Sequence, residues 1–330
     1  MSAVNEVFNR AWYLWRRNRW MLNPRSYISS FPEVPIQRPV FLLGVQGGGL
    51  TLVSRMLRRH PRIVSVSGNH RYWAGADEIH TVFGPLLPPE LTGTRYKVPW
   101  PDHPLFDPPR SWAYASDELL PYYRKTSQDA TPELRERLQR VIRMSVAQHA
   151  EDPDQAQFID KSQVYTVRIS LVRELLRENY PKFVLVPVNP FASCYRAALG
   201  KAQDMYRLRH RLSFLERLDI CAQHWKNSMQ CALEDRDDDL MIVKFEDILT
   251  DPSRSIGRIC EHVEIDYRDD LLPAPNDRVP FGSRFRDRWY PLDPDRALKY
   301  KEQASDEELD VIHAQCAEIA AELGYEDHKG

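Results

Sequence analysis

Residues 39–68 read PVFLLGVQGGGLTLVSRMLRRHPRIVSVSG, with Gly44 five positions ahead of Gly49 and Leu50 and Thr51 directly after it. This is the spacing G-x-x-x-x-G-K-T of a phosphate loop, with leucine where the lysine belongs. Such a loop can hold an anion through inward-facing backbone N–H groups and the start of the following helix, without side-chain charge. Three consecutive glycines, Gly47, Gly48 and Gly49, also let the backbone approach a ligand closely. The competing reading is a glycine-rich turn that binds nothing. Phosphoryl transfer from a nucleoside triphosphate would need the missing lysine and a magnesium-binding pair, and no clear pair is visible.

The elements that must position this loop follow from periodicity. Val40 to Leu43 is a short apolar run ahead of glycines, as expected of a buried parallel strand. Leu52, Val53, Met56 and Leu57 recur at helical spacing, with Arg55, Arg58 and Arg59 on the other face. Further strands are expected at RIVSVS, QFIDKSQ, KFVLVPVNP and DLMIVKFEDIL. Helices are expected at TPELRERLQRVIRMSVAQHA, capped by Thr131, at VRISLVRELLRENYP, stopped by Pro181, at SFLERLDICAQHWKNSMQCALE and at SRSIGRICEHV. A last helix runs from a Ser305 cap to Gly324. Strands alternating with helices imply an α/β fold with a parallel sheet covered on both faces. We divide the chain into an N-terminal helical, aromatic and basic segment, 1–36, and an α/β domain, 37–330. An irregular insertion rich in Pro, Trp and Tyr interrupts the domain at about 72–128.

The bulk numbers exclude more than they assign. Forty-five Lys and Arg against forty-seven Asp and Glu leave a formal charge of −2, so no overall field draws the chain to nucleic acid. The five cysteines are scattered, without zinc-ligand spacing, which fits reduced thiols in a cytoplasmic protein, and no metal is expected. Neither a secretory signal nor a transmembrane span is expected. The segment MSAVNEVFNRAWYLWRRNRWMLNP mixes aromatics with arginines; a terminal helix packed on protein is the preferred reading, and peripheral membrane contact the lesser one. The sequence sets no oligomeric state.

The stretch FLLGVQGGGLTLVSRMLRRHPRIVSV resembles the opening of the nucleotide-dependent sulfotransferases: a strand, G-x-[PS]-[KR]-[ST]-G-[TS]-[TN]-L, a helix ending in HP, and a second strand. Gly44, Gly49, Thr51, Leu52, His60 and Pro61 keep that layout. The resemblance continues through FIDKSQVYTVRISLVRELLRENYPKFVLVPVNPFASCYRAA, HWKNSM, MIVKFEDILTDPSRSIGRICEHVEI and ELGY, covering about residues 39–325. It implies a P-loop-like three-layer sandwich, a central parallel sheet flanked by helices. It also implies transfer of a sulfuryl group from 3′-phosphoadenosine 5′-phosphosulfate to a hydroxyl or amine of a small molecule, lipid or glycan, without a metal. The alternative is a catalytically inactive protein of that fold that binds a ligand or partner.

By the same resemblance Gln46, Gly47, Gly48, Gly49, Leu50 and Thr51 hold the donor, but Gly47 and Gly48 replace the loop's basic and hydroxyl residues. Val188 stands where an arginine for the 3′-phosphate is expected, and Arg196 where a serine follows eight residues later. The displaced charge is expected from Lys161, which matches a basic position used in the tyrosylprotein branch, from Arg196, and from Arg284 and Arg286 of NDRVPFGSRFRDRWYP, similar to the family's late closing loop. An acceptor hydroxyl must lose a proton, and His70 of SGNHRYWAGADE is the expected base, with Asp77 and Glu78 close behind and Asp160 as another candidate.

Overall fold

The computed structural model describes residues 3–68, 77–92, 113–201, 210–274, 292 and 294–326. Five parallel strands form one sheet, β1 Val40–Leu43, β2 Ile63–Val64, β3 Gln157–Asp160, β4 Lys182–Leu185 and β5 Leu240–Ile242, in the order β2-β3-β1-β4-β5. β1 lies between β3 and β4, with Phe41 opposite both Asp160 and Phe183.

Every residue of β1 and β3 is buried, because helices cover both faces of the sheet. Phe41, Leu43, Phe158, Phe183 and Leu185 turn to the face packed by the helices Pro132–His149, Phe214–Glu234 and Asp306–Glu322. Val40, Leu42, Ile159, Val184 and Val186 turn to the other face, against the helices Leu50–Leu57 and Pro252–Val263. The alternation is the period of two that a strand imposes. The result is a three-layer α/β sandwich.

Local signals place several boundaries. Thr131 Oγ1 accepts from the N–H of Leu134 at 3.2 Å, and Ser213 and Ser305 each form a capping box with the glutamate three residues on. The acidic first turn of the last helix, Asp306 to Glu308, suits the positive end of its dipole.

Two expected strands are shorter than their apolar runs. RIVSVS pairs only at Ile63 and Val64, since Ser65 and Gly68 exchange backbone hydrogen bonds and fold the chain back. DLMIVKFEDIL leaves the sheet after Ile242 and becomes the helix Phe245–Thr250, with Glu246 and Asp247 in its first turn. Within the described parts of 72–128 the chain makes only short helical turns, among them Ile79–Val82 and Leu120–Tyr123. No helix among the described residues is long and apolar enough to cross a membrane.

Candidate active site

β1 delivers the glycine loop to the C-terminal edge of the sheet, where ligands of open α/β folds bind. Thr166 fixes where the loop begins: its hydroxyl accepts from the N–H of Gly44 at 2.8 Å and donates to the Gly44 carbonyl at 3.1 Å. The loop closes with the N–H of Gly48 donating to the Val45 carbonyl at 3.0 Å, and the helix Leu50–Leu57 starts from Gly49. The N–H groups of Gly47, Gly49, Leu50 and Thr51 have no acceptor among the described residues. They form a set of donors with a helix start behind it, which is the chemistry of an anion cradle.

Two glycines carry the loop's geometry. Gly49 has φ +76, and a Cβ there would lie 2.0 Å from the ring of Phe245, so aromatic packing forbids any side chain. Gly47 has φ +83 and is exposed, with nothing within 4 Å of a Cβ built on it. Leu50 is turned into the core at 3% exposure, so the position that carries lysine in a nucleotide-triphosphate loop is used here for packing. Gln46 is half-buried, and its Oε1 is enclosed without a partner.

A buried charge network sits beside the cradle. β3 ends at Asp160, in register with Phe41 of β1, so Lys161 leaves the sheet next to the strand that feeds the loop. Lys161 Nζ lies 2.7 Å from Glu78 Oε1 and 3.1 Å from Asp77 Oδ1. Asp77 Oδ2 accepts from Arg58 at 2.6 Å and from Ser67 at 3.1 Å. Arg58, with no exposed surface, also donates to the Gly68 carbonyl and the Ser67 hydroxyl, at 3.1 Å each. Two cations thus meet two carboxylates, the arrangement that makes buried charge tolerable.

Burial works against ionisation of Glu78, yet Lys161, helped by His80 and Thr81, outweighs it and holds the carboxyl down at about 2. Burial likewise disfavours charge on Lys161, but Glu78 and Asp77 keep it protonated well above the ordinary lysine range. Asp160 goes the other way. Burial raises it to about 6, against hydrogen bonds from Ser162 and the N–H of Ile79, each N–H contributing at 2.8 Å.

At the end of β4 Val188 is 6% exposed, and its carbonyl accepts from the indole N–H of Trp225 at 2.9 Å. Asn189 caps the helix Pro190–Arg196 through the N–H groups of Phe191 and Ala192, and its own N–H donates to Glu246 Oε1 at 2.9 Å.

The sulfotransferase family model matches residues 39–269. The chain belongs to the sulfotransferase family. Sulfotransferase STF9 from Mycobacterium avium superposes with a TM-score of 0.52 at 14% identity, covering 93% of this chain and 80% of that one. The sulfotransferase domain from the curacin biosynthetic pathway superposes with a TM-score of 0.50 at 15% identity, covering 88% and 99%. Identities this low speak for the fold alone. No curated protein matches the chain in sequence.

In this member of the family the expected donor residues Gln46 to Gly49 lie in the loop, Leu50 and Thr51 begin the helix after it, and Lys161 directly follows the neighbouring strand β3. Arg196 is exposed at the last turn of the helix Pro190–Arg196. His70, Arg284 and Arg286 lie outside the described residues. Sequence reasoning passed over Thr166, Arg58 and Phe245. Thr166 lies between the expected strand QFIDKSQ and the expected helix VRISLVRELLRENYP, and nothing local ties it to Gly44. Arg58 read as the solvent face of its helix, whereas it is a strut inside the protein.

Proposed function

We propose that the protein transfers a sulfuryl group from 3′-phosphoadenosine 5′-phosphosulfate to a hydroxyl or amine of a small molecule, lipid or glycan. The observation that carries this reading is the set of unpaired N–H groups at Gly47, Gly49, Leu50 and Thr51, on a loop pinned by Thr166. These donors fit the phosphosulfate end of the nucleotide. The fit at the 3′-phosphate is poorer by way of Val188, which is buried and uncharged, so Arg196, Arg284 and Arg286 are assigned to that end.

The donor supplies an activated sulfuryl group and a phosphate leaving group, and transfer of this kind is catalysed mainly by positioning and by cations. Lys161 is the cation assigned to the transferred group, standing in for the one that Gly47 lacks. Before donor binds, Asp77 and Glu78 hold that ammonium. Turning it toward the donor frees Glu78 from the partner that depresses its pKa, so the carboxylate becomes more basic as the acceptor is engaged. His70 is assigned as the base that takes the acceptor proton, with Asp160 as the other candidate. Five buried free thiols fit a cytoplasmic setting.

A second reading, an inactive protein of this fold, draws on the same ion pairs: Lys161 is fully compensated where it stands. Incubation with donor labelled with sulfur-35 and a lipid, glycan and small-molecule extract separates the two. The enzyme reading expects label on an acceptor, lost in Lys161→Ala. Binding of adenosine 3′,5′-bisphosphate without any labelled product would establish the inactive reading.

A further inference from the structure

The N-terminal helix Ala3–Asn18 is inside out for a surface helix. Val7, Phe8, Ala11, Trp12, Leu14 and Trp15 are all exposed, and at 3.6 residues per turn they fall within one arc of roughly 160°. Phe8 is 69% exposed, and the rings of Trp12 and Trp15 stack at 5.1 Å on that face. Arg16 and Arg17 lie outside the arc and are half-buried. An ordinary amphipathic helix turns its apolar stripe to the core; this one turns it to solvent.

Exposed apolar residues continue along the chain past the helix. Trp20 is buried, 5.4 Å from the ring of Phe83, and roots the segment in the domain. Beyond it Leu22 and Ile28 are 76% and 86% exposed. Nine of the thirteen exposed large hydrophobics among the described residues fall between Val7 and Ile28, so exposure of this kind is concentrated in one segment.

Charge selects the occupant. Residues 1–33 hold five arginines, Arg10, Arg16, Arg17, Arg19 and Arg25, against two acids, Glu6 and Glu33, the second paired with Arg25, which leaves an excess of positive charge in a chain whose formal charge is −2. Pairing the segment with a second copy would bring two net-positive segments together, a like-charge arrangement that opposes association. An anionic surface with an apolar interior matches both features: Trp settles at the headgroup level, apolar side chains pass below it, and the segment's excess positive charge is drawn to anionic headgroups.

We propose that residues 7–28 dock the protein on an anionic phospholipid bilayer, with the helix Ala3–Asn18 lying in the plane of the interface. This stands on its own, apart from the sulfuryl-transfer reading. The test is co-sedimentation of the full chain with vesicles of phosphatidylcholine alone or with phosphatidylserine added. Binding is expected with phosphatidylserine vesicles, much weaker without, and falling as salt is raised. Phe8→Ser combined with Trp12→Ser and Trp15→Ser is expected to weaken it about tenfold or more, with thermal unfolding unchanged; Leu22→Ser with Ile28→Ser, away from the helix, provides an independent pair for the same measurement. Full-length protein that stays in the supernatant with phosphatidylserine vesicles overturns the proposal. So does a dimer by light scattering that the triple substitution converts to monomer without any vesicle binding, which would give the face to a second copy.

Discussion

The Lys161 ammonium and the Glu78 carboxylate form a 2.7 Å ion pair at the end of β3, and each sets the other's protonation. Their partner Asp77 is shared with Arg58, so removing one member unbalances the rest. Lys161→Met is therefore expected to cost about 3 to 5 kcal/mol of stability, as for other buried pairs broken on one side. Lys161→Met with Glu78→Gln should recover part of that loss. Urea unfolding of the two single variants and the double measures it; strictly additive losses would mean that the pair is not coupled.

The same network gives opposite pH signatures. Glu78 is held at about 2, below its ordinary 4.5, so its contribution is complete above 4.5 and is lost as pH falls toward 2. Asp160 is raised from 3.8 to about 6, so folding is favoured most below 3.8 and that preference fades as pH rises through 6. Thermal unfolding across pH should show a shallower acid limb in Glu78→Gln and a changed slope between 3.8 and 6 in Asp160→Asn. Unchanged profiles would remove both assignments.

The sheet, the loop and the main helices are legible in the sequence because their signals are local. Glycine spacing after an apolar run, a Thr or Ser cap and apolar residues at helical period are all short-range. What was not legible is the set of contacts made across long separations. Nothing near Lys161 announces Asp77 and Glu78, some eighty residues earlier, and Arg58 looks like any arginine on an outer helix face. DLMIVKFEDIL reads as one strand by composition, but its second half turns into the helix Phe245–Thr250, whose first ring, Phe245, seats on Gly49. Tertiary packing there overrides β propensity.

Gly49 and Gly47 should respond differently to the same substitution. Both would place alanine at positive φ, a cost of about 1 to 2 kcal/mol. Gly49→Ala would also drive a Cβ into the Phe245 ring, adding about 1 to 3 kcal/mol of overpacking. The expected order of melting temperatures is wild type, then Gly47→Ala, then Gly49→Ala, with Phe245→Leu partly rescuing the last. Equal effects at both positions would show that the ring moves aside freely.

Thr166, in the helical turn Gln163–Val167 that follows Lys161, ties that turn to the start of the cradle. Thr166→Val keeps the shape but leaves the Gly44 N–H and carbonyl without that partner, a loss of about 1 to 3 kcal/mol. Affinity for adenosine 3′,5′-bisphosphate should fall with it, since the donors of the loop are no longer held in place. Calorimetry on the variant reads both quantities, and unchanged affinity would separate Thr166 from the cradle.

A cation returned to the loop is the converse experiment. Gly47→Lys adds a side chain where there is open space, at the position the family gives to a basic residue. A charged contact contributes about 1.5 to 3 kcal/mol, while the left-handed backbone lowers folding stability by about 1 to 2 kcal/mol whether or not the anion is bound. Bisphosphate should bind tighter by about tenfold or more. Weaker binding would place the anion elsewhere.

The central claim, that the Gly44 to Thr51 loop is a nucleotide cradle working through backbone donors, is tested most directly by titrating the wild-type protein with adenosine 3′,5′-bisphosphate in a calorimeter. The account predicts saturable one-to-one binding with a Kd below roughly 100 µM, about −5.5 kcal/mol or better. Absence of heat and of saturation at high micromolar nucleotide, with the fold intact, would contradict it.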